Sequence, residues 1–234
     1  MKHLLFSIFV SAASLLMAQD WDESLNTAKD VMTISETERE VIFEINKLRS
    51  DPPRYAREVV KPRLAKFHSD GMVYTNSQGI YIRTSEGKAS VVECIQALES
   101  TTPMQPLYHD SRLYNAARKH GIDMRDNNFF EHNSSDGTQF YERLQKFGFN
   151  GHCAENLAAG NDAPEEIVLQ LIIDDGVPSR GHRTNLLTPD FNIVGAAVVE
   201  HPQWRHSCTM DLGEVDKTEE PSTPAPASGT GTSK

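Results

Sequence analysis

Residues 203–212 read QWRHSCTMDL. Trp204, His206, Cys208, Met210 and Leu212 fall on one side of an extended chain, and Arg205, Ser207, Thr209 and Asp211 on the other. That two-residue period predicts a half-buried strand. NIVGAAVVE, residues 192–200, reads as a second strand, with a hairpin turn over 200–203. Upstream the period is helical. Val41, Ile42, Ile45 and Leu48 form a stripe behind a capping box of Ser35 and Glu38, and Asp51-Pro52-Pro53 ends it, which predicts a helix over 36–49. A second helix over 90–99 carries Val91, Val92, Ile95 and Leu98. A third starts at the N-cap Asp110, with Leu113, Ala117, His120 and Met124 along one face. A fourth spans 139–147 with Phe140, Leu144 and Phe147 inward, and a fifth, capped by Asp162 and Glu165, carries Ile167, Val168, Leu171 and Ile172. Helices in the middle and strands at the end, without strand–helix alternation, predict an α+β domain with helices packed on a small antiparallel sheet.

The N-terminus, MKHLLFSIFVSAASLLMAQ, has a basic start, an apolar run and a small-residue exit, so residues 1–18 read as a secretory signal peptide. Its apolar run is short for a membrane anchor, and no later stretch is long enough to span a bilayer. The expected organisation is a leader over 19–34, one domain over 35–213 with an insertion at about 60–89, and a Pro/Ser/Thr/Gly-rich tail over 214–234. The mature protein is expected outside the cytoplasm, secreted or periplasmic. A net charge of −10 disfavours nonspecific binding to nucleic acid or anionic lipid. Of Cys94, Cys153 and Cys208, the last two sit in strand-like segments and Cys94 in the helical VVECIQAL, so Cys153–Cys208 is the expected disulfide in an oxidising compartment.

Residues 151–160, GHCAENLAAG, place Glu155 inside a small, apolar run. A buried carboxylate needs a cationic, metal or hydrogen-bonding partner. His132 in FFEHNSSDG and His182 in GHRTNLL, both flanked by turn formers, are candidates for one cleft. HExxH, paired CxxC, GxSxG and P-loop signatures are missing from the sequence, so any metal site has to be assembled from distant segments.

Taken in order, INKLRSDPPRYA, PLYHDSRLYNAARKHGIDM, FFEHNSSDG, AENLAAG, SRGHRTNLL, VGAAVV and TMDLG resemble the CAP superfamily, the cysteine-rich secretory, antigen 5 and pathogenesis-related-1 group, in its short bacterial form. The resemblance runs over residues 36–213, interrupted at 60–89. It implies an α-β-α sandwich and a cleft with two His and two acids. By motif these are His132, Glu155 and His182, with Asp174 as the second acid and Asp175 as its fallback, where a Glu would be more typical. Such a set implies a weakly held zinc or other divalent cation, with the carboxylates bonding imidazole N–H or metal-bound water. It also implies a secreted binding module for an extracellular lipid, glycan or protein, with no nucleic-acid partner. The alternative is a metal-dependent hydrolase with Glu155 or Asp174 as general base, and a third reading is a structural cell-surface protein with the tail as spacer. Arg183 is expected to pair with the acids, Arg180 to face water, and His120 and His206 to pack in the core, while His109, His152 and His201 receive no role.

Overall fold

Ser35 and Glu38 form the capping box, Ser35 N–H donating to Glu38 Oε2 at 2.7 Å and Glu38 N–H to Ser35 Oγ at 3.2 Å. From this start α1 (Glu36–Ser50) runs to Asp51, where Pro52 opens the short α2 (Pro52–Tyr55). The computed structural model describes residues 20–216; the expected signal peptide and residues 217–234 of the expected tail lie outside the described residues. After α2 the chain passes through a π-type turn (Ala56–Val60) and a 3-10 turn (Lys61–Lys66) into a hairpin of β1 (Val73–Thr75) and β2 (Tyr81–Arg83). α3 (Lys88–Glu99), the two-residue β3 (Tyr108–His109), α4 (Ser111–Asn127) and α5 (Phe140–Lys146) follow. Next come β4 (Cys153–Ala159), α6 (Pro164–Ile173), α7 (Gly181–Leu186), β5 (Ile193–His201) and β6 (Arg205–Gly213).

The main sheet has the order β3-β5-β6-β4, antiparallel except for the parallel edge pair β3–β5. α4 covers one face. Its backbone lies directly on β5: a Cβ at Gly195 would come within 2.1 Å of the Tyr114 nitrogen, so only glycine admits this approach. On the other face Cys208, Met210 and Leu212 join the main core with Ile42 and Ile45 of α1 and Ile167 and Ile172 of α6. The result is the implied α-β-α sandwich. β6 is therefore not half-buried as its alternation predicts. It lies between β5 and β4 with helices on both faces, and Ser207, Thr209 and Asp211 are fully covered.

The expected Cys153–Cys208 disulfide is not formed, and all three cysteines are free thiols. Strand β4 does lie beside β6, but the register sets Cys153 opposite Gly213 and Cys208 opposite Ala158. Five residues at ~3.4 Å each separate the two by about 17 Å, well beyond the ~4.4–6.8 Å a bridge requires, and an odd offset points them to opposite faces. Burial pushes the Cys94 and Cys208 thiols up to about 12, which leaves them unreactive.

Other local expectations shift by smaller steps. α6 begins with Ala163 at the cap position and Pro164 in the first turn, while Asp162 instead accepts from the Gln78 side chain. Residues of the leader are docked: Asn46 Nδ2 donates to the carbonyl oxygens of Leu25 and Leu107, and Ala28 is fully buried. Val215, at the start of the expected tail, is buried beside Leu113 and Phe149, and its N–H donates to Asn192 Oδ1. Residues 60–89, expected as an insertion, are fastened to the rest of the domain, because Asp175 accepts from Ser85 N–H and Glu86 N–H.

Candidate functional site

Glu155 points from β4 towards the α4 face, its side chain only 1% exposed. His132 Nδ1 meets Glu155 Oε1 at 2.9 Å, and Arg143 Nη2 donates to Oε2. Burial pushes the Glu155 carboxyl up, but the His132 hydrogen bond and the Arg143 charge outweigh it and hold the group below its ordinary range. The carboxylate for which the sequence suggested imidazole partners is thus an anion held by one imidazole and one guanidinium. Asp211 sits directly opposite on β6, fully buried, with neither oxygen hydrogen-bonded among the described residues. Burial, and then the Glu155 charge, pushes Asp211 well above the usual carboxylate range, which favours its neutral acid.

The loop that carries His132 is pinned by its carbonyl oxygens. His201 Nε2 meets Phe129 O at 3.0 Å, His120 Nε2 meets Glu131 O at 2.8 Å, and Arg143 Nη1 meets His132 O at 3.3 Å. A carbonyl only accepts, so each of these nitrogens donates. The same logic applies at Glu155: the carboxylate accepts, so His132 Nδ1 carries a proton and Nε2 of the neutral ring keeps its lone pair.

Asp174 caps the C-terminus of α6 in the left-handed region, φ 59°, a conformation Asp tolerates better than most residues. That turn aims its carboxylate at α7, the short helix that carries the GHR segment. Asp174 Oδ1 meets His182 Nδ1 at 2.6 Å, and Oδ2 accepts from the His182 and Arg183 N–H groups at 2.9 and 3.3 Å. Asp175 is committed to the insertion, so Asp174 is the acid that engages His182. Arg183 pairs with Glu93, not with Glu155 or Asp174, and donates to the Ile172 and Ile173 carbonyls. Arg180 does not simply face water: it bridges Glu86 and Glu93 and donates to the Asp174 carbonyl at 2.7 Å.

The four expected residues therefore stand as two imidazole–carboxylate pairs joined through β4. Asn156, next to Glu155 and pointing to the opposite face, donates from Nδ2 to the His182 carbonyl at 3.1 Å and accepts from Asn185 at 2.8 Å. Among the described residues no three His, Cys, Asp or Glu side chains gather closely enough to hold a metal ion. Neither His132 Nε2 nor His182 Nε2 has a hydrogen-bond partner among the described residues; the two side chains are 51% and 24% exposed. Sequence reasoning missed Arg143, Asp211, Asn156 and His201; His120 is buried as expected, but its bond to the His132 loop was not anticipated. Arg143 was findable, since it lies three residues after Phe140 and four before Phe147, on the inward face of α5.

A three-layer α-β-α domain with an acid-held imidazole on each side of an edge strand defines the class of protein. Residues 43–212 match the model of CAP, the cysteine-rich secretory protein family, and the chain belongs to that family. Over 111 residues it is 35% identical to the uncharacterized protein YkwD of Bacillus subtilis (strain 168), a match spanning 47% of this chain and 41% of that relative. Less than half of that relative's length is thus represented. Two solved structures are similar: an extracellular protein containing a SCP domain from Bacillus anthracis and an outer surface protein from Borrelia burgdorferi. The first is 24% identical with a TM-score of 0.42, covering 54% of this chain and 37% of its own. The second is 22% identical with a TM-score of 0.41, covering 48% and 80%. No helix of the described residues is long and apolar enough to cross a membrane.

Proposed function

We propose that this is a secreted binding module whose two acid-held imidazoles take a divalent cation, zinc foremost, from the external medium. The observation that carries this reading is the matched pair of Nδ1–carboxylate contacts, 2.9 Å at His132 and 2.6 Å at His182, each fixing a ring so that Nε2 is left to bind a ligand. A carboxylate behind a ligating imidazole fixes its tautomer and raises its basicity. The donor set is spare: Glu155 and Asp174 are occupied by their histidines and by backbone or arginine donors, so only the imidazole nitrogens are open to an ion. Export is supported by the signal-peptide pattern of residues 1–18 and by membership of a secretory family.

The hydrolase reading has less support. Glu155 and Asp174 side chains are each 1% exposed, and a general base must reach the water it deprotonates. Titration of metal-stripped protein with zinc, followed by calorimetry, tests the proposal. Saturable binding that weakens about tenfold or more in His132→Ala/His182→Ala is expected, and it should weaken as the medium is acidified because proton and metal compete for the same nitrogens. Equal zinc affinity in the double variant would overturn it.

A further inference from the structure

A cleft of about 250 Å³ lies between the β1–β2 hairpin, the edge strand β4 and the C-terminal half of α6. Phe67, Tyr74 and Ile82 line it from the insertion, the stretch that interrupts the family resemblance, and Leu157, Leu169 and Ile173 from the domain. Its volume is just under the ~300 Å³ at which drug-sized pockets begin. At roughly 30 Å³ for each water-sized group, it has room for about eight such groups.

The charges on its wall are nearly all compensated. Arg63 is buried, ion-paired with Glu166 at 2.7 Å, with its guanidinium 4.5 Å from the Tyr74 ring centre. Asp174 is engaged by His182, and Asp175 by Ser85, Glu86 and Ser90. Arg83, exposed at the end of β2, makes no hydrogen bond or ion pair among the described residues; Asp70 feels its charge without touching it. A trough more apolar than polar, with Thr84, Asn161, Gln170 and His182 also on its wall and one cation free of hydrogen bonds and ion pairs, selects a molecule that is apolar over most of its length and anionic at one end.

We propose that this cleft binds a small amphipathic monoanion: a carboxylate placed at Arg83, on an apolar body of about eight carbon atoms lying along the aromatic and aliphatic wall. The inference rests on the reading of the protein as a binding module, but it requires neither a metal nor His132. The body can be an alkyl chain or a single ring with a short arm, since an apolar cavity of ~150 Å³ already accepts benzene.

The test uses the full chain in EDTA, titrated with octanoate, 3-phenylpropionate, octylamine and acetate by calorimetry and by amide NMR shifts. At least one of the two carboxylates should saturate with a Kd below ~1 mM, as expected for a ligand of about ten non-hydrogen atoms, with shifts at Ile82 and Leu157. Octylamine and acetate should bind about tenfold more weakly. The better carboxylate distinguishes an acyl from an aryl ligand. Arg83→Glu, at an exposed position, should weaken the carboxylate about fivefold or more and erase its preference over octylamine. Ile82→Glu should abolish binding with an unchanged circular dichroism spectrum. Octylamine binding as tightly as octanoate, an unaffected Arg83→Glu variant, or shifts mapping elsewhere would overturn the inference. Zinc binding lost with carboxylate binding intact overturns only the metal reading, and the converse overturns only this one.

Discussion

Replacing Arg143 by Met keeps the bulk of the side chain and removes the cation that holds Glu155. Both side chains of this pair are almost wholly buried, at 2% and 1% exposure. Removing one partner of a buried ion pair costs about 3–5 kcal/mol, because the other charge is left uncompensated. His132 remains on Oε1, which places the expected loss at the lower end, about 3 kcal/mol. For a domain of this size that is a fall in melting temperature of about 6–12 °C. Urea denaturation at several pH values is the assay. In the unsubstituted protein the Glu155 carboxyl is held below its ordinary value of 4.5, so its contribution is present above that value and is lost as pH falls through the folded one. In Arg143→Met the burial penalty is no longer offset, and protonation relieves it. The cost of the substitution should therefore be full at pH 7 and shrink towards pH 4. The decisive control is Arg143→Met in a Glu155→Gln background, where the loss should fall by about half or more because no buried charge remains. A loss under about 1 kcal/mol at pH 7, or an equal loss in the two backgrounds, would refute the view that Arg143 is there for Glu155.

Three further outcomes are expected. Gly195→Ala should cost about 3 kcal/mol in urea denaturation, at the top of the usual range for overpacking, because the new methyl would meet backbone atoms of α4, the Tyr114 nitrogen at 2.1 Å and the Leu113 carbonyl carbon at 2.3 Å, which cannot rotate away. Thiol titration of the denatured protein should find three free groups, and excess reductant should leave the melting temperature unchanged. Deleting residues 217–234 should move the melting temperature by less than about 1 °C, since KTEEPSTPAPASGTGTSK offers no large apolar side chain to pack.

Features set by neighbours in the chain were legible in the sequence, and those set by register were not. The capping box of α1 and the Asp110 cap of α4 are local, and both form as read. The four residues His132, Glu155, Asp174 and His182 were expected in one cleft from motif order, and the structure places them as two imidazole–carboxylate pairs. The alternation of Ser207, Thr209 and Asp211 misled because an alternating strand reports two different faces, not that one of them is wet. Asp211 gained its meaning only when the β4–β6 register set it opposite Glu155, and the same register parted Cys153 from Cys208. No spacing in the chain encodes that alignment. The carbonyl contacts of His120 and His201 were invisible for another reason: both serve the backbone of a distant loop, a role with no side-chain partner to look for.

The strand order carries a consequence for how the chain comes into being. Among the described residues β6 emerges after every other strand during synthesis, yet it occupies an interior place in the sheet, and in that sheet β4 pairs with β6 alone. Until residues 205–213 are available, β4 has nothing to hydrogen-bond to and β5 has only two residues of β3 beside it. The sheet cannot assemble before β6 is made, because the long-range pairings of β4 and most of those of β5 run through that strand. On the export route proposed above, machinery that threads extended polypeptide would receive a substrate still open, and closure would follow once β6 slots between its two older neighbours.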